Sequence, residues 1–346
     1  MGIVVRQSIK TTIVTLFGAV LGAIIVLAST YLLPIQYYGF IKNITNQALT
    51  FSYFLLMGVP STLIVYIHKF QEEPIKKKTL VGFSFLIPIL TCSIFFIVYT
   101  FLHDSIINHY QPIDRSINEQ YFYLLPIFVL LLSLVTLFES YLNSQMRVAL
   151  SSFMQAILIR ALTIILLVLA GYKIISISTF FYGMVLMYGI PILAMWWIAK
   201  YKTTNFQIAF NWRVFNKIER KELLHFTWYH LLLSASLTLL GTLDANMLAF
   251  YSHQGVSDVG IYANAVFIIS LFVIPYRAMT AASFPILTQA YHEKDMIKVK
   301  DVYYRASNNI LFATVAMGIL IALNLDNAVA ILPPAYSALK PLVLIL

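Results

Sequence analysis

Charge is what this chain has least of. Only 11% of its 346 residues are Asp, Glu, Lys or Arg, against 60% hydrophobic. Soluble domains carry about a quarter of their residues as charges, so no stretch reads as a soluble domain. Cysteine is almost absent too. Cys92 stands alone, which excludes an internal disulfide and a cysteine-built metal centre and leaves a small buried hydrophobe. The histidines are scattered: His225 and His230 are five apart and point to different helix faces. There is no H-E-x-x-H pair, G-x-S-x-G elbow, P-loop or glycine-rich dinucleotide motif. Metal hydrolysis, serine hydrolysis and nucleotide chemistry therefore have no residues to carry them, and the chain is expected to be neither an enzyme nor a cofactor protein.

What is present is apolar length. Runs of about 20 residues, enough to cross a bilayer as helix, recur throughout. Nine complete spans are expected, over 11–33, 44–67, 79–102, 121–142, 150–170, 174–199, 223–251, 260–287 and 307–325. A tenth begins near Pro341 and stops at Leu346. The first span is longer than a signal-peptide core and has no convincing cleavage site after it, so it is expected to remain as a helix.

The net charge of +9 raises the question of nucleic acid, and placement answers it. With the N-terminus in the cytoplasm, basic residues crowd the cytoplasmic loops, among them Lys69, Lys76 to Lys78, Lys200, Lys202 and Lys217. Outside lie only Lys42, Arg115, Lys173 and Lys340. Such a bias orients membrane proteins. It implies no nucleic-acid partner.

The chain also resembles itself. At one fixed offset Gly39 falls on Gly260, Asn43 on Asn264, Glu72 on Glu293 and Lys77 on Lys298, and the order of spans and loop charges repeats with the same orientation. Parallel repeats of this kind build some transporters. The expected fold is therefore an all-α polytopic membrane protein of two parallel-repeat lobes. Residues 1–199 supply helices one to six, 200–222 a basic cytoplasmic linker, and 223–346 helices seven to nine with the start of ten. The second copy stops after about three and a half helices, so a complete chain is expected to add on the order of 100 residues. In the linker, Phe206, Ile208, Phe210, Trp212, Val214 and Phe215 alternate with basic residues, which suits either a segment lying on anionic headgroups or a plain connection.

Four ionisable residues, Glu139, Arg160, Asp244 and Arg277, fall inside these spans. A charge in hydrocarbon costs a few kcal/mol or more, so it faces a partner, a bundle interior or a wet path. Glu139 and Arg160 flank the short turn near Ala149 at equal distance, which places both roughly 15 Å deep at 1.5 Å per residue. They are expected to pair, either as a buried lock or as a cavity-facing site. Asp244 and Arg277 differ in depth and are expected to have separate partners.

Leu243 to Ala265, LDANMLAFYSHQGVSDVGIYANA, resembles the start of the second half of polysaccharide flippases of the multidrug, oligosaccharidyl-lipid and polysaccharide exporter superfamily. The matching residues are Asp244, then Val259, Gly260, Tyr262 and Ala265. Pro275, and Ser283 to Ile286, are similar to the helix that follows. Tyr38, Gly39 and Gly58 fit the weaker pattern of the first half.

The resemblance implies two lobes around a cavity open alternately to each side, moving an undecaprenyl-diphosphate-linked oligosaccharide to the outer leaflet for O-antigen, capsule or exopolysaccharide synthesis. Arg160, Arg277 and Glu139 are then the expected substrate contacts and Asp244 the site of proton or sodium coupling. Asn43, Asn246, Tyr262 and Asn264 are weaker sugar contacts, with helix-tying amides as the ordinary alternative. Location is expected in the bacterial inner membrane, with membrane lipids, the lipid-linked cargo and polysaccharide assembly proteins as partners. Rival readings are a multidrug or peptidoglycan-precursor exporter of the same fold, or a membrane polymerase or ligase. The longest outer loop, 103–120, is short for a catalytic loop.

Overall fold

The computed structural model describes residues 3–203, 206–270, 276, 279–280, 283, 287, 290–291 and 293–345, with side chains from residue 13 onward. Among them the only regular structure is helical. Contacts divide the chain into compact units at Met1–Val259 and Gly260–Leu346. This division reflects packing, whereas the linker at 200–222 was placed by repeat.

The first unit begins with α1 (Ile3–Leu32), then α2 (Ile35–Leu55) and α3 (Val59–Lys69). α4 (Pro74–Phe101) follows, then short α5 (His103–His109) and α6 (Pro112–Gln120), and α7 (Leu124–Ser144). α8 (Val148–Phe153) runs through a π-helical turn (Met154–Leu158) into α9 (Ile159–Gly171). α10 (Ile177–Leu186) and α11 (Gly189–Lys202) form the next apolar stretch, and α12 (Lys217–Tyr251) the longest helix of this unit. The unit boundary falls inside α13 (Val256–Ser270).

Among the described residues seven helical stretches are long and apolar enough to cross a membrane, and α2 with α3, bent by 44°, makes an eighth when the pair is counted as one span. These match eight of the nine expected spans. The other, over 260–287, begins in α13 and lies largely outside the described residues.

Sequence periodicity blurred the start of the second span. Pro34 fixes an extended residue before the helix, and α2 then starts at Ile35, nine residues ahead of the expected boundary. Lys42, expected in a loop, therefore sits inside α2. The break between α2 and α3 has a local cause. Met57 and Gly58 both adopt positive φ, at 50° and 74°, a region that glycine enters freely and other residues at a cost. Pro60 then starts α3 where its missing N–H costs nothing. The orphaned Leu55 carbonyl is satisfied by the Thr91 hydroxyl of α4 at 2.7 Å.

The apolar core of this unit lies toward the end that carries Lys69 and Lys76. Leu63, Val81, Leu137, Tyr141, Leu142 and Ala199 are all fully buried there. The 206–215 segment belongs to that core. Phe215 is fully buried against Phe70, with ring centroids 5.3 Å apart, and Phe206 packs on Phe85 at 5.7 Å. Ala209 N–H donates to the Lys78 carbonyl at 3.1 Å, a close approach possible because Gly82 has no Cβ to meet the Ala209 carbonyl. Phe215 is buried and Phe206, Trp212 and Val214 are half-buried against this core, which favours the plain connection over a segment lying wholly on headgroups. Ile208 and Phe210 alone keep that option, being 48% and 60% exposed.

In the second unit, α14 (Met296–Ile331) is followed by a single 3-10 turn (Pro334–Tyr336) and α15 (Leu339–Ile345). Asp295 caps α14 by accepting from Lys298 N–H at 3.0 Å.

Candidate functional site

The first unit carries its polar interior along one seam, between α2 and α3 on one side and α12 on the other. α12 presents Thr227, Ser234, Thr238 and Thr242 at helical spacing, each bonding a carbonyl four residues back at 2.7 to 2.9 Å. That local bond satisfies the hydroxyl hydrogen and leaves oxygen to face the neighbour. Thr227 meets Thr62 at 2.8 Å and Thr242 meets Thr50 at 2.7 Å, while Asn246 donates to Thr50 at 3.4 Å. Further along α2, Gln47 bonds Asn43 at 3.1 Å and the Tyr110 hydroxyl at 2.8 Å. Asn43 Nδ2 and Asn246 Oδ1 are buried with no hydrogen-bond partner among the described residues. An unsatisfied buried amide costs free energy until a partner arrives.

At the Asp114 end the seam closes on a buried carboxylate. Asp114 is inaccessible to solvent and accepts from Val256 N–H at 2.7 Å and from Gln36 at 3.4 Å. It thus caps the first turn of α13 from α6, where a helix favours negative charge. Gly255, at φ 54°, makes the turn, and a Cβ there would run into the Asp114 carboxylate. Burial, with the Asp258 charge adding to it, pushes the Asp114 carboxyl above the usual carboxylate range despite the hydrogen bonds it accepts. At the opposite, basic end Lys69 bonds Glu222 at 2.7 Å, and Lys76 bridges Glu73 and Glu219 at 2.7 Å each. Glu219 also completes a capping box with Asn216, so one carboxylate starts α12 and ties it to α4.

The intramembrane charges do not pair as expected. Among the described residues no ion pair joins Glu139 to Arg160. Glu139 accepts from Gln155, on the π-helical turn, with Asn143 also facing the carboxylate and Tyr53 near it. Arg160 instead donates to the Gly18 carbonyl of α1. Its guanidinium lies in the groove left by Gly18 and Gly22, where a Cβ on Gly22 would sit 3.3 Å from Arg160 Nη1. Residue counting gives no direction: Gln155 and Arg160, five residues apart with the π-helical turn between them, face different neighbours. Lys42 and the Tyr188 phenol lie within electrostatic reach of Arg160.

Of the other expected residues, Asn43 and Asn246 are brought to the seam. Asp244 lies off that face, exposed on α12. Tyr262 and Asn264 belong to the second unit, where Asn264 donates to the Gly260 carbonyl at 3.2 Å. Arg277 lies outside the described residues. Sequence reasoning passed over Gly18 and Gly22, although the small-x-x-x-small spacing G-A-V-L-G marks a helix that accepts a close neighbour. It passed over Asp114 as well, for which no local signal exists. Among the described residues no three metal-ligating side chains cluster.

Solved structures share this bundle of membrane-length helices. The chain superposes with a TM-score of 0.73, at 16% identity, on an inward-facing multidrug resistance MATE family transporter of the MOP superfamily, covering 99% of this chain and 79% of that one. MATE in complex with MaL6 gives 0.64 at 16% identity, covering 98% and 77%. An outward-facing MATE transporter gives 0.63 at 16% identity, covering 97% and 75%. No curated protein matches the chain significantly. The fold is thus that of the multidrug, oligosaccharidyl-lipid and polysaccharide exporter superfamily. Within it, the profile described as "Polysaccharide biosynthesis protein" matches residues 4–291, and the chain belongs to that family.

Proposed function

We propose that the protein flips an undecaprenyl-diphosphate-linked oligosaccharide from the cytoplasmic to the outer leaflet by alternating access. The observation that carries this reading is the chemistry around Arg160. The Arg160 guanidinium lies in the groove of Gly18 and Gly22 with no carboxylate in ion-pair contact among the described residues, and Lys42, whose ammonium lies over the Tyr38 ring, is within electrostatic reach of it. Like charges in a low-dielectric interior repel, and a diphosphate would relieve that repulsion. The oligosaccharide would draw on the amides and hydroxyls of the seam, Asn43 and Asn246 above all, because sugar hydroxyls need partners to cross hydrocarbon. Arg277 would add a second cation for the cargo, and Tyr262 and Asn264 further hydrogen bonds.

The basic end is then cytoplasmic, the N-terminus with it, in a bacterial inner membrane. No covalent step is required of the chain. Proton or sodium coupling is assigned to Asp244, and polysaccharide assembly proteins are its expected partners. Glu139, held among the described residues by amides and by no cation, favours a second reading in which the cargo is a cationic drug.

Proteoliposome flipping of a fluorescent undecaprenyl-diphosphate oligosaccharide tests the proposal. Loss of a charge-assisted contact should slow Arg160→Ala and Lys42→Ala by about tenfold or more, with Arg160→Lys retaining more activity. Unchanged flipping with both cations removed, in folded protein, would overturn it. Export of a cationic dye abolished by Glu139→Gln would support the second reading.

A further inference from the structure

At the basic end a cleft of about 730 Å³ opens between α1 and the turn joining α7 to α8. We propose that it holds an anionic phospholipid of the surrounding bilayer, with the phosphate on Arg147 and an acyl chain along the apolar wall.

The wall is apolar and outward. Ile13 and Val14 of α1 face Leu150 and Phe153 across it. Ile13 is 60% exposed and Phe153 40%. α1 continues this surface with Leu16, Phe17 and Val20, all strongly exposed. Apolar exposure of this extent in a chain of membrane-length helices marks the face turned to lipid. The cleft therefore opens onto the bilayer, and its lining includes neither Arg160 and Lys42 nor the seam residues of α2 and α12 proposed for cargo.

The charge stands at its rim. Arg147 lines the cleft, and its guanidinium donates to the Lys202 carbonyl at the end of α11 at 2.7 Å. Among the described residues no carboxylate comes within ion-pair distance of it. The turn that presents it is fixed. Met146 sits at φ 57°, its N–H donates to the Asn143 carbonyl at 3.0 Å, and Arg147 N–H donates to the Leu142 carbonyl at 2.9 Å.

The end of α11 adds two more cations. Lys200 lies over the Trp196 ring at 5.1 Å and Lys202 over the Trp197 ring at 5.2 Å. Exposed tryptophan beside lysine marks the level of lipid headgroups. Basic pockets between helices at that level suit anionic headgroups. An arginine fork with donors to spare, two neighbouring ammonium groups and an apolar trough below them complement one phosphate and one chain.

Native mass spectrometry of the full-length protein, offered phosphatidylglycerol and phosphatidylcholine with matched acyl chains, tests this. Phosphatidylglycerol should be retained preferentially. Arg147→Ala should cut its retention about fivefold, and Lys200→Ala with Lys202→Ala further, each basic residue counting for about that much at an anionic surface. Ile13→Trp leaves every cation and the buried core in place and fills the trough, so it should lower retention of both lipids while the protein stays folded. Equal retention of the two lipids, or phosphatidylglycerol binding untouched by both Arg147→Ala and Ile13→Trp, would overturn the proposal. So would displacement of the phospholipid by equimolar undecaprenyl phosphate, which would give the cleft to cargo.

Discussion

Replacing Gly58 by alanine puts a methyl group where α12 runs past the break between α2 and α3. Two separable terms oppose it. Gly58 has φ 74°, and forcing an L-residue into the left-handed region costs about 1–2 kcal/mol. The added Cβ would also lie 2.6 Å from Leu231 N and 3.0 Å from the His230 carbonyl carbon, and closer still to the Thr227 carbonyl. These are backbone atoms of a helix and cannot swing aside, so α12 must move as a body. Overpacking of this kind typically costs about 1–3 kcal/mol, bringing the total to about 2–5 kcal/mol.

Thermal unfolding in detergent, followed by intrinsic tryptophan fluorescence, should show a clearly lowered midpoint. Gly241→Ala is the control, since a Cβ there meets nothing within 4 Å and its helix continues on both sides. If Gly58→Ala melts with wild type, or if Gly241→Ala falls equally far, the close seating of α12 on the break is wrong.

Phe215→Ala removes a fully buried ring from the core and should destabilise by about 3–5 kcal/mol, seen as early melting, whereas exposed Phe210→Ala should melt near wild type. A cysteine pair replacing Thr62 and Thr227, whose hydroxyls are 2.8 Å apart, should crosslink on mild oxidation in a Cys92→Ser background and stop transport; free transport by crosslinked protein would show that α3 and α12 never separate in the cycle. Burial raises the Asp114 carboxyl above its unfolded value, so its contribution to stability is full at acid pH and is lost as pH rises through the raised value. Asp114→Asn should therefore flatten the pH dependence of the melting midpoint and raise it at neutral pH relative to wild type. A steeper dependence in the variant would contradict the assignment.

Much of the scaffold could be read without coordinates because the bilayer imposes it. A helix must bring about 20 apolar residues to cross hydrocarbon, so spans 121–142 and 150–170 anticipated α7 and the α8 to α9 stretch within a few residues. The α2 start was misplaced because Tyr37, Tyr38 and Lys42 lower the local hydropathy although the helix continues through them. The second-half motif, carried by Val259, Gly260 and Tyr262, led to the family because it is a short local pattern.

The partners of the buried charges were another matter. The rise per residue sets how far a residue lies along its helix, and on that count Glu139 and Arg160 are expected at one level. It does not fix how each helix is rotated about its axis or which neighbour it packs on. The groove at Gly18 and Gly22 drew Arg160 to α1, and the π-helical turn presented Gln155 to Glu139. The Asp114 cap on α13 joins residues more than 140 positions apart. Contacts of that range exist only once several helices have docked, and they were decided by the tertiary structure alone.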